Sequence, residues 1–323
     1  MPCGAGAGST AVHERATPRV TVGVCTYRRL DLLKRTLQSL MQQTYASTDF
    51  EVVVVDNDTD RSAQALVQGF ARTMASPEVH YVVEPGRGVS HVRNRCVNQA
   101  RGEWLAFLDD DEEARPDWLA QLMTAQERFD ADVVLGPVNL LLPDDAPVWL
   151  RALGRTTDDP EMVTGALVPP GQGGCGNVLL RLSRVRSRGL APFQPRLSLT
   201  GGEDSDLFNW LRQQGAKMVW CNEAWADEHQ PARRLRLRHH LYRSVQFSAV
   251  HWRGQYAECD RLRAHLHAAS GAALGLACLV LGALAYPVQP RIGVPLMMTG
   301  MRGFGRVLAL LRVQVAGYGP GHD

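Results

Sequence analysis

The segment 50–55, FEVVVV, constrains the fold of this chain more than any other feature. Four consecutive valines leave no polar face to turn toward water, so the run reads as a strand of a parallel sheet covered on both sides. Helical spacing stands on each flank of it. Leu30, Leu33, Leu37, Leu40 and Met41 precede it, and a helical stretch near 63–73 follows. Further strand-like stretches at 20–25, 79–83, 104–108 and 133–138 alternate with helical stretches near 89–100 and 116–129, the last with Pro116 suited to a first turn. This order predicts an α/β fold, Rossmann-like, with a mostly parallel sheet, helices on both faces and right-handed crossovers.

The remaining chain reads differently. Residues 140–174 are rich in Pro, Gly and Asp and suggest a long loop beside a site. A strand is expected at 176–184 and a helix at 203–214, with Leu207, Trp210 and Leu211 on one face. Residues 231–263 hold eight arginines against Glu258 and Asp260, and 270–289 carry no charge. That uncharged run reaches the roughly 20 residues needed to cross a bilayer. Arg302, Arg306 and Arg312 interrupt the apolar stretch 292–315, a spacing that suits an amphipathic helix on a membrane surface better than a second span. The expected organisation is a disordered tail over 1–18, an α/β domain over 19–230 with halves 19–138 and 139–230, a basic helical linker over 231–263 and an apolar or amphipathic helical tail over 264–323.

Charge and cysteine usage narrow the class. A net charge of +2 sets up no field that would draw nucleic acid or an acidic polymer. Seven scattered cysteines with no CxxC fit neither a disulfide framework nor a zinc site, and suggest a reducing compartment. Residues 1–19 lack the apolar core of a signal peptide, so export by that route is not expected.

In open α/β sheets ligands bind beyond the carboxyl ends of the strands. Polar groups gather at those places: Thr26, Tyr27 and Arg28 after the first strand, Asp56-Asn57-Asp58 after the second, Glu84-Pro85-Gly86-Arg87 after the third and Asp109-Asp110-Asp111 after the fourth. Asp109 and Asp111 are two apart, so on extended chain both carboxylates point to one side, as Mg²⁺ or Mn²⁺ requires. The alternative is that these acids only introduce the helix after Pro116. No Walker-type GxxxxGK[ST] is present.

VGVCTYRRLDLLKRTLQSLMQQ, EVVVVDNDTD, GVSHVRNRCVNQARGEWLAFLDDDEEARPDWL and GGEDSDLFNWLRQQG, in that order, resemble the family 2 glycosyltransferases of GT-A fold over residues 20–229. The part 173–243 is similar to the bacterial branch that builds exopolysaccharide and other cell-surface glycans. The resemblance implies that Thr26, Tyr27, Arg28 and Asp56 hold base and ribose of a nucleotide sugar, with UDP-sugar the first choice. Asn57-Asp58-Thr59 replaces the family's second Asp and Gly-Ser, which loosens that choice of base. It further implies that Arg93 and Asn94 line the diphosphate, that Asp109, Asp110 and Asp111 form the DxD motif with Asp109 and Asp111 on the metal, and that His229 is a further ligand.

Glu203-Asp204 matches the family's ED motif. Asp204 is then the general base that takes the acceptor hydroxyl's proton, with Glu203 the second choice or an acceptor orienter. A bound metal would neutralise the leaving nucleotide, and inversion needs no covalent intermediate. The same residues, from Thr200 to Glu203, also fit a helix capping box. The glycines of 173–177, with Gly201 and Gly202, permit close approach to a sugar. Trp210, Trp220 and Trp225 suit core packing better than sugar stacking. The QxxRW signature of processive members is missing, which favours one sugar per encounter. Arg233, Arg234, Arg236, Arg238 and Arg243 suit anionic headgroups or a pyrophosphate-linked acceptor.

The sequence thus reads as an inverting, metal-dependent glycosyltransferase at the cytoplasmic face of the inner membrane, extending a glycan or lipid-linked acceptor in cell-surface polysaccharide synthesis. Two rivals stand beside it. A sugar-nucleotide nucleotidyltransferase would need a Gly-rich loop after the first strand, where Cys25-Thr26-Tyr27-Arg28 stands. An inactive glycan- or membrane-binding relative would not need both acidic pairs.

Overall fold

A computed structural model describes residues 17–153, 162–258 and 260–315. The tail expected over 1–18 lies, apart from Thr17 and Pro18, outside the described residues.

The first half alternates as expected. It runs β1 (Val20–Thr26), α1 (Leu30–Leu40), β2 (Phe50–Asp56), α2 (Gln64–Thr73), β3 (Glu78–Val83), α3 (Val89–Gln99), β4 (Trp104–Phe107), β5 (Glu112–Ala114), α4 (Trp118–Phe129) and β6 (Val133–Leu135). The chain continues through β7 (Val138–Leu141), α5 (Val148–Leu153), β8 (Val178–Arg181), α6 (Leu182–Arg186), α7 (Glu203–Gln213), β9 (Met218–Trp220) and β10 (Ala226–His229). Three helices close it: α8 (Leu237–Glu258), α9 (Arg261–Ala285) and α10 (Pro290–Leu310). The strand expected at 133–138 is two strands, because Gly136-Pro137 breaks it and proline has no N–H for a ladder.

The main sheet has the order β3-β2-β1-β4-β8-β6-β9, parallel except for β8. A small sheet, β5-β10-β7, stands beside it. The valines of β2 explain the two-sided cover. Val52 and Val54 pack with Leu33, Leu37 and Leu40 of α1 on one face, while Val53 and Val55 pack with Val92 and Val97 of α3 on the other. Each fully buried valine contributes about 1.5–3 kcal/mol relative to exposure, so this strand anchors both layers. Register then sets Thr26 beside Asp56, and Asp56 beside Val83, along one carboxyl edge.

The tail departs from its expected form. α10 is not a free surface helix: its face of Gly293, Val294, Met297, Gly300 and Gly303 is buried against protein. Among the described residues, α9 alone is long and apolar enough to cross a membrane.

Candidate active site

The loops after β1 and β2 lock each other. Arg28 sits at φ +53°, a left-handed conformation that costs a non-glycine residue about 1 kcal/mol. It is held there by Asp58 at 2.9 Å and Asp60 at 2.8 Å, with the Tyr27 ring 5.4 Å from its guanidinium. Asp56 is wholly buried. Its carboxylate accepts the Asp58 N–H at 2.9 Å, the Ala63 N–H at 3.0 Å and the Tyr81 hydroxyl at 2.8 Å. Asp56 therefore organises the turn into α2. Asn57 donates to the carbonyls of Glu84 and Gly86 and accepts the Gly88 N–H, lacing the loops after β2 and β3 together.

The acids after β4 form a crowded centre. Thr26 Oγ1 donates to Asp110 at 2.8 Å, and Arg29 reaches both Asp110 at 3.0 Å and Asp111 at 3.2 Å. Arg234, following β10, contacts Asp111 at 3.0 Å and Glu228 at 2.5 Å. Glu112 lies opposite Glu228 in the β5–β10 register and is buried. Asp109 remains half-exposed. Burial, with Asp111 adding its negative charge, pushes Asp110 up to about 6 and Glu228 up to about 7. Burial and Asp109 raise Glu112 well above its ordinary value. More carboxylate than guanidinium is present, so the centre suits a hard divalent cation.

His229 does not join it. Successive side chains of β10 alternate between faces, so Glu228 points to the acids while His229 Nε2 lies 2.5 Å from Glu113. Only the His229 backbone N–H touches the motif, at the Asp111 carbonyl. Glu228, and not His229, faces these acids.

On the other side, Arg93 is buried, ion-paired with Glu203, 3.8 Å from Asp109 and over the Phe193 ring. Asn94 holds the Phe193 backbone in both directions, at 2.7 and 2.9 Å, and so positions that ring. The capping box is not formed. α7 begins at Glu203 with Gly202 as N-cap at φ +90°, and the Thr200 hydroxyl turns to the Gly201 carbonyl. Burial pushes Glu203 up to about 7, against the pull of Arg93, with Asp204 pushing the same way as burial. Asp204 stands partly exposed in the first turn and accepts the Ser205 N–H at 2.7 Å.

The loop 173–177 joins the two sides. A Cβ on Gly176 would lie 2.6 Å from Glu112 Oε1 and 3.2 Å from Asp109 Oδ2, and one on Gly174 would lie 3.6 Å from Asp204 Oδ2. Asn177 pins the loop by donating to the Pro137 and Ala224 carbonyls and accepting the Trp118 indole N–H. Trp220 is buried, and Trp210 and Trp225 lie under Arg188 and Arg115. Sequence reasoning missed Arg29 and Glu112 as members of this centre, and at the pair Glu228-His229 it chose the histidine. Strand alternation was the available signal for the two glutamates, once β5 and β10 are paired.

A parallel sheet with an acidic motif after β4 and a second acidic pair opening a late helix defines a GT-A glycosyltransferase. Residues 21–159 match the model of the family described as Glycosyl transferase family 2, and the chain belongs to that family. The succinoglycan biosynthesis protein ExoM of Rhizobium meliloti is 33% identical over 276 residues, which cover 85% of this chain and 87% of that protein. ExoO of the same organism, also named for succinoglycan biosynthesis, is 27% identical over 165 residues, 51% of this chain and 44% of that one. Among solved structures, the mannosyltransferase PcManGT from Pyrobaculum calidifontis, in complex with GDP-Man and Mn²⁺, aligns with a TM-score of 0.61 at 20% identity. The alignment covers 92% of this chain and 88% of that one, and establishes the shared fold.

Proposed function

We propose that this chain transfers a sugar, with inversion, from a nucleotide sugar to a glycan or lipid-linked acceptor in cell-surface polysaccharide synthesis. UDP-sugar is the favoured donor, and the cytoplasmic face of the inner membrane is the place of action. The relation to ExoM, a protein named for succinoglycan biosynthesis, supports the glycan product. The observation that carries the reading is the loop 173–177, which passes close to both Asp204 and the Asp109 and Glu112 carboxylates and so links the two acidic groups.

Asp204 fits the base. It is partly exposed, in the first turn of α7. Glu203, buried and paired with Arg93, fits a positioning role instead. Thr26, Tyr27 and Arg28 edge the donor side, and Arg93 faces the diphosphate from beneath Asp109. Asp109, Asp111 and Glu228 would hold a Mg²⁺ or Mn²⁺ ion. When bound, such an ion offsets the charge that develops on the departing nucleoside diphosphate.

Calorimetry with UDP and Mn²⁺ tests the donor half. Wild-type protein should bind UDP only with metal present, and Asp111→Asn should abolish that dependence while keeping its melting transition. Unchanged affinity in the variant overturns the assignment. Thermal shift with a panel of nucleotide sugars then selects base and sugar, UDP-sugars being expected to stabilise most.

A further inference from the structure

The apolar tail and the α/β domain are packed as one body. α8 lies against the turn that opens α7: Gln246 donates to the Thr200 carbonyl at 3.1 Å, and a Cβ on Gly202 would strike Val250. α10 lies along α8. Ser248 Oγ donates to the Arg302 carbonyl at 2.7 Å, and the Arg306 guanidinium stands 4.7 Å over the Trp252 ring. At its other end Val294 and Met297 share a core with Trp149 and Leu150 of α5. α9 is fixed to the opposite side of α10. A Cβ on Gly275 would meet the Gly300 carbonyl at 2.8 Å, and one on Gly282 would meet the Gly293 carbonyl at 2.8 Å. The two backbones touch along the seam, as small residues allow.

That seam decides the orientation of α9. At 1.5 Å per residue the helix is about 38 Å long, enough to cross a bilayer. Its inner face, however, is bound to α10, and α10 is bound to a domain built for water. A crossing α9 would either drag Arg302 and Arg306 into hydrocarbon or peel away from the glycine seam, both unfavourable.

Its outer face remains apolar and open: Leu276 is 59% exposed, Leu281 57% and Leu284 71%. Residues 261–315 also contain six arginines (Arg261, Arg263, Arg291, Arg302, Arg306 and Arg312) and no acidic residue. Asp260, the N-cap of α9, pairs with Arg263, so positive charge remains in excess beside the exposed apolar face, and that combination matches the anionic surface of a lipid leaflet.

We infer that α9 lies in the plane of one leaflet, leucines in the headgroup–acyl boundary and arginines on anionic headgroups, with neither end crossing. This rests on the membrane reading given above, and it makes the tail a platform that holds the α7 turn at a fixed height over the lipid.

Full-length protein carrying His265→Cys or Gln289→Cys, in inner-membrane vesicles of the expressing cells, tests the topology with a membrane-impermeant maleimide. Neither variant should be labelled in right-side-out vesicles beyond the unsubstituted protein. Labelling of either end from that side means α9 crosses and overturns the inference. Flotation of purified protein with phosphatidylglycerol-containing vesicles tests the face. Leu281→Asp should weaken binding about tenfold or more, and phosphatidylcholine vesicles should bind less protein than the anionic ones. Unchanged binding by Leu281→Asp overturns the inference, all the more if the change turns a dimer into a monomer, which assigns the face to a second copy. Wild-type protein that ignores both vesicle types refutes the membrane reading itself.

Discussion

At the two ends of one sheet, carboxylates meet arginines under opposite balances. At the amino edge Glu51 is buried, and Thr21 Oγ1, Arg101 N–H and Arg101 Nε donate to it at 2.7, 3.0 and 2.6 Å, with His80 Nε2 3.2 Å away. Burial alone would raise its pKa, but bonds to His80, Thr21 and Arg101 outweigh burial and hold it at about 2. At the carboxyl edge the same burial wins, and Asp110, Glu228 and Glu203 stand at about 6, 7 and 7. Ligand atoms of Glu51, Glu78 and His80 lie within 4.8 Å of one another, which by residue type alone describes a metal site. Arg101 Nη2, 2.6 Å from both Glu51 and Glu78, already supplies that charge. Residue types do not make a cation site; uncompensated charge does.

The largest expected effect separates base from binding at the carboxyl edge. Asp204→Asn keeps the shape and removes basicity, so turnover should fall about 10²–10⁴-fold. UDP affinity should hold, because the Asp109–Asp111 pair is untouched. The melting temperature should hold as well, since Gly202 and not an acidic side chain occupies the N-cap. Near-normal turnover in this variant removes Asp204 from the chemistry and makes Glu203 the next candidate.

Next in size is an exchange of arginines. Arg101→Ala removes the guanidinium bond to Glu51 while Thr21, His80 and the residue-101 N–H remain, and should lower stability by about 1 kcal/mol. Arg234→Ala should instead leave Asp111 and Glu228 to a metal, and Mn²⁺ should raise the melting temperature more than in wild type. The two edges are distinguished by that Mn²⁺ response. If Arg101→Ala gains one that Asp111→Asn does not remove, the amino edge is a metal site after all.

The sequence made the first half of the fold legible because its signals are local. Valines at 52–55 and leucines at 33, 37 and 40 specify a strand and a helix face within a few residues of themselves. The site was legible where a motif is continuous, as in Asp109–Asp111 and Glu203-Asp204. It was not legible where pairing is remote. Glu228 meets Glu112 only through a β10–β5 ladder closed across more than 100 residues, and nothing near position 228 says which face it takes. Arg28 and Arg29 are neighbours of one type, yet the left-handed turn at Arg28 sends one to Asp58 and leaves the other for Asp110 and Asp111. The bond that Asp56 accepts from Tyr81 was not legible either, because Tyr81 lies on the next strand. The close seam that the glycines of α9 and α10 make is likewise remote, and shows only when the helices are seen face to face.

The smallest expected effect is on stability against pH, and it tests the comparison without any substitution. A carboxyl whose folded pKa stands above its ordinary value binds its proton more tightly when folded. Its contribution to stability is complete below the ordinary value and is lost as pH rises through the folded one. Glu203 and Glu228 stand at about 7 against 4.5, and Asp110 at about 6 against 3.8. Metal-free protein should therefore lose stability as pH rises from about 3.8 to about 7. Glu51 acts with the opposite sign. Held at about 2, it contributes fully above 4.5, and its share is lost only as pH falls toward 2. Metal binding needs the ionised acids, so the Mn²⁺-induced rise in melting temperature should be larger at pH 8 than at pH 5. Scanning calorimetry at both pH values, with and without Mn²⁺, reads all four quantities. A metal-free melting temperature that climbs from pH 5 to pH 8, with no added Mn²⁺ effect at pH 8, would mean that the carboxyl edge is as fully compensated as the amino edge, and the charge argument for a cation there would fall.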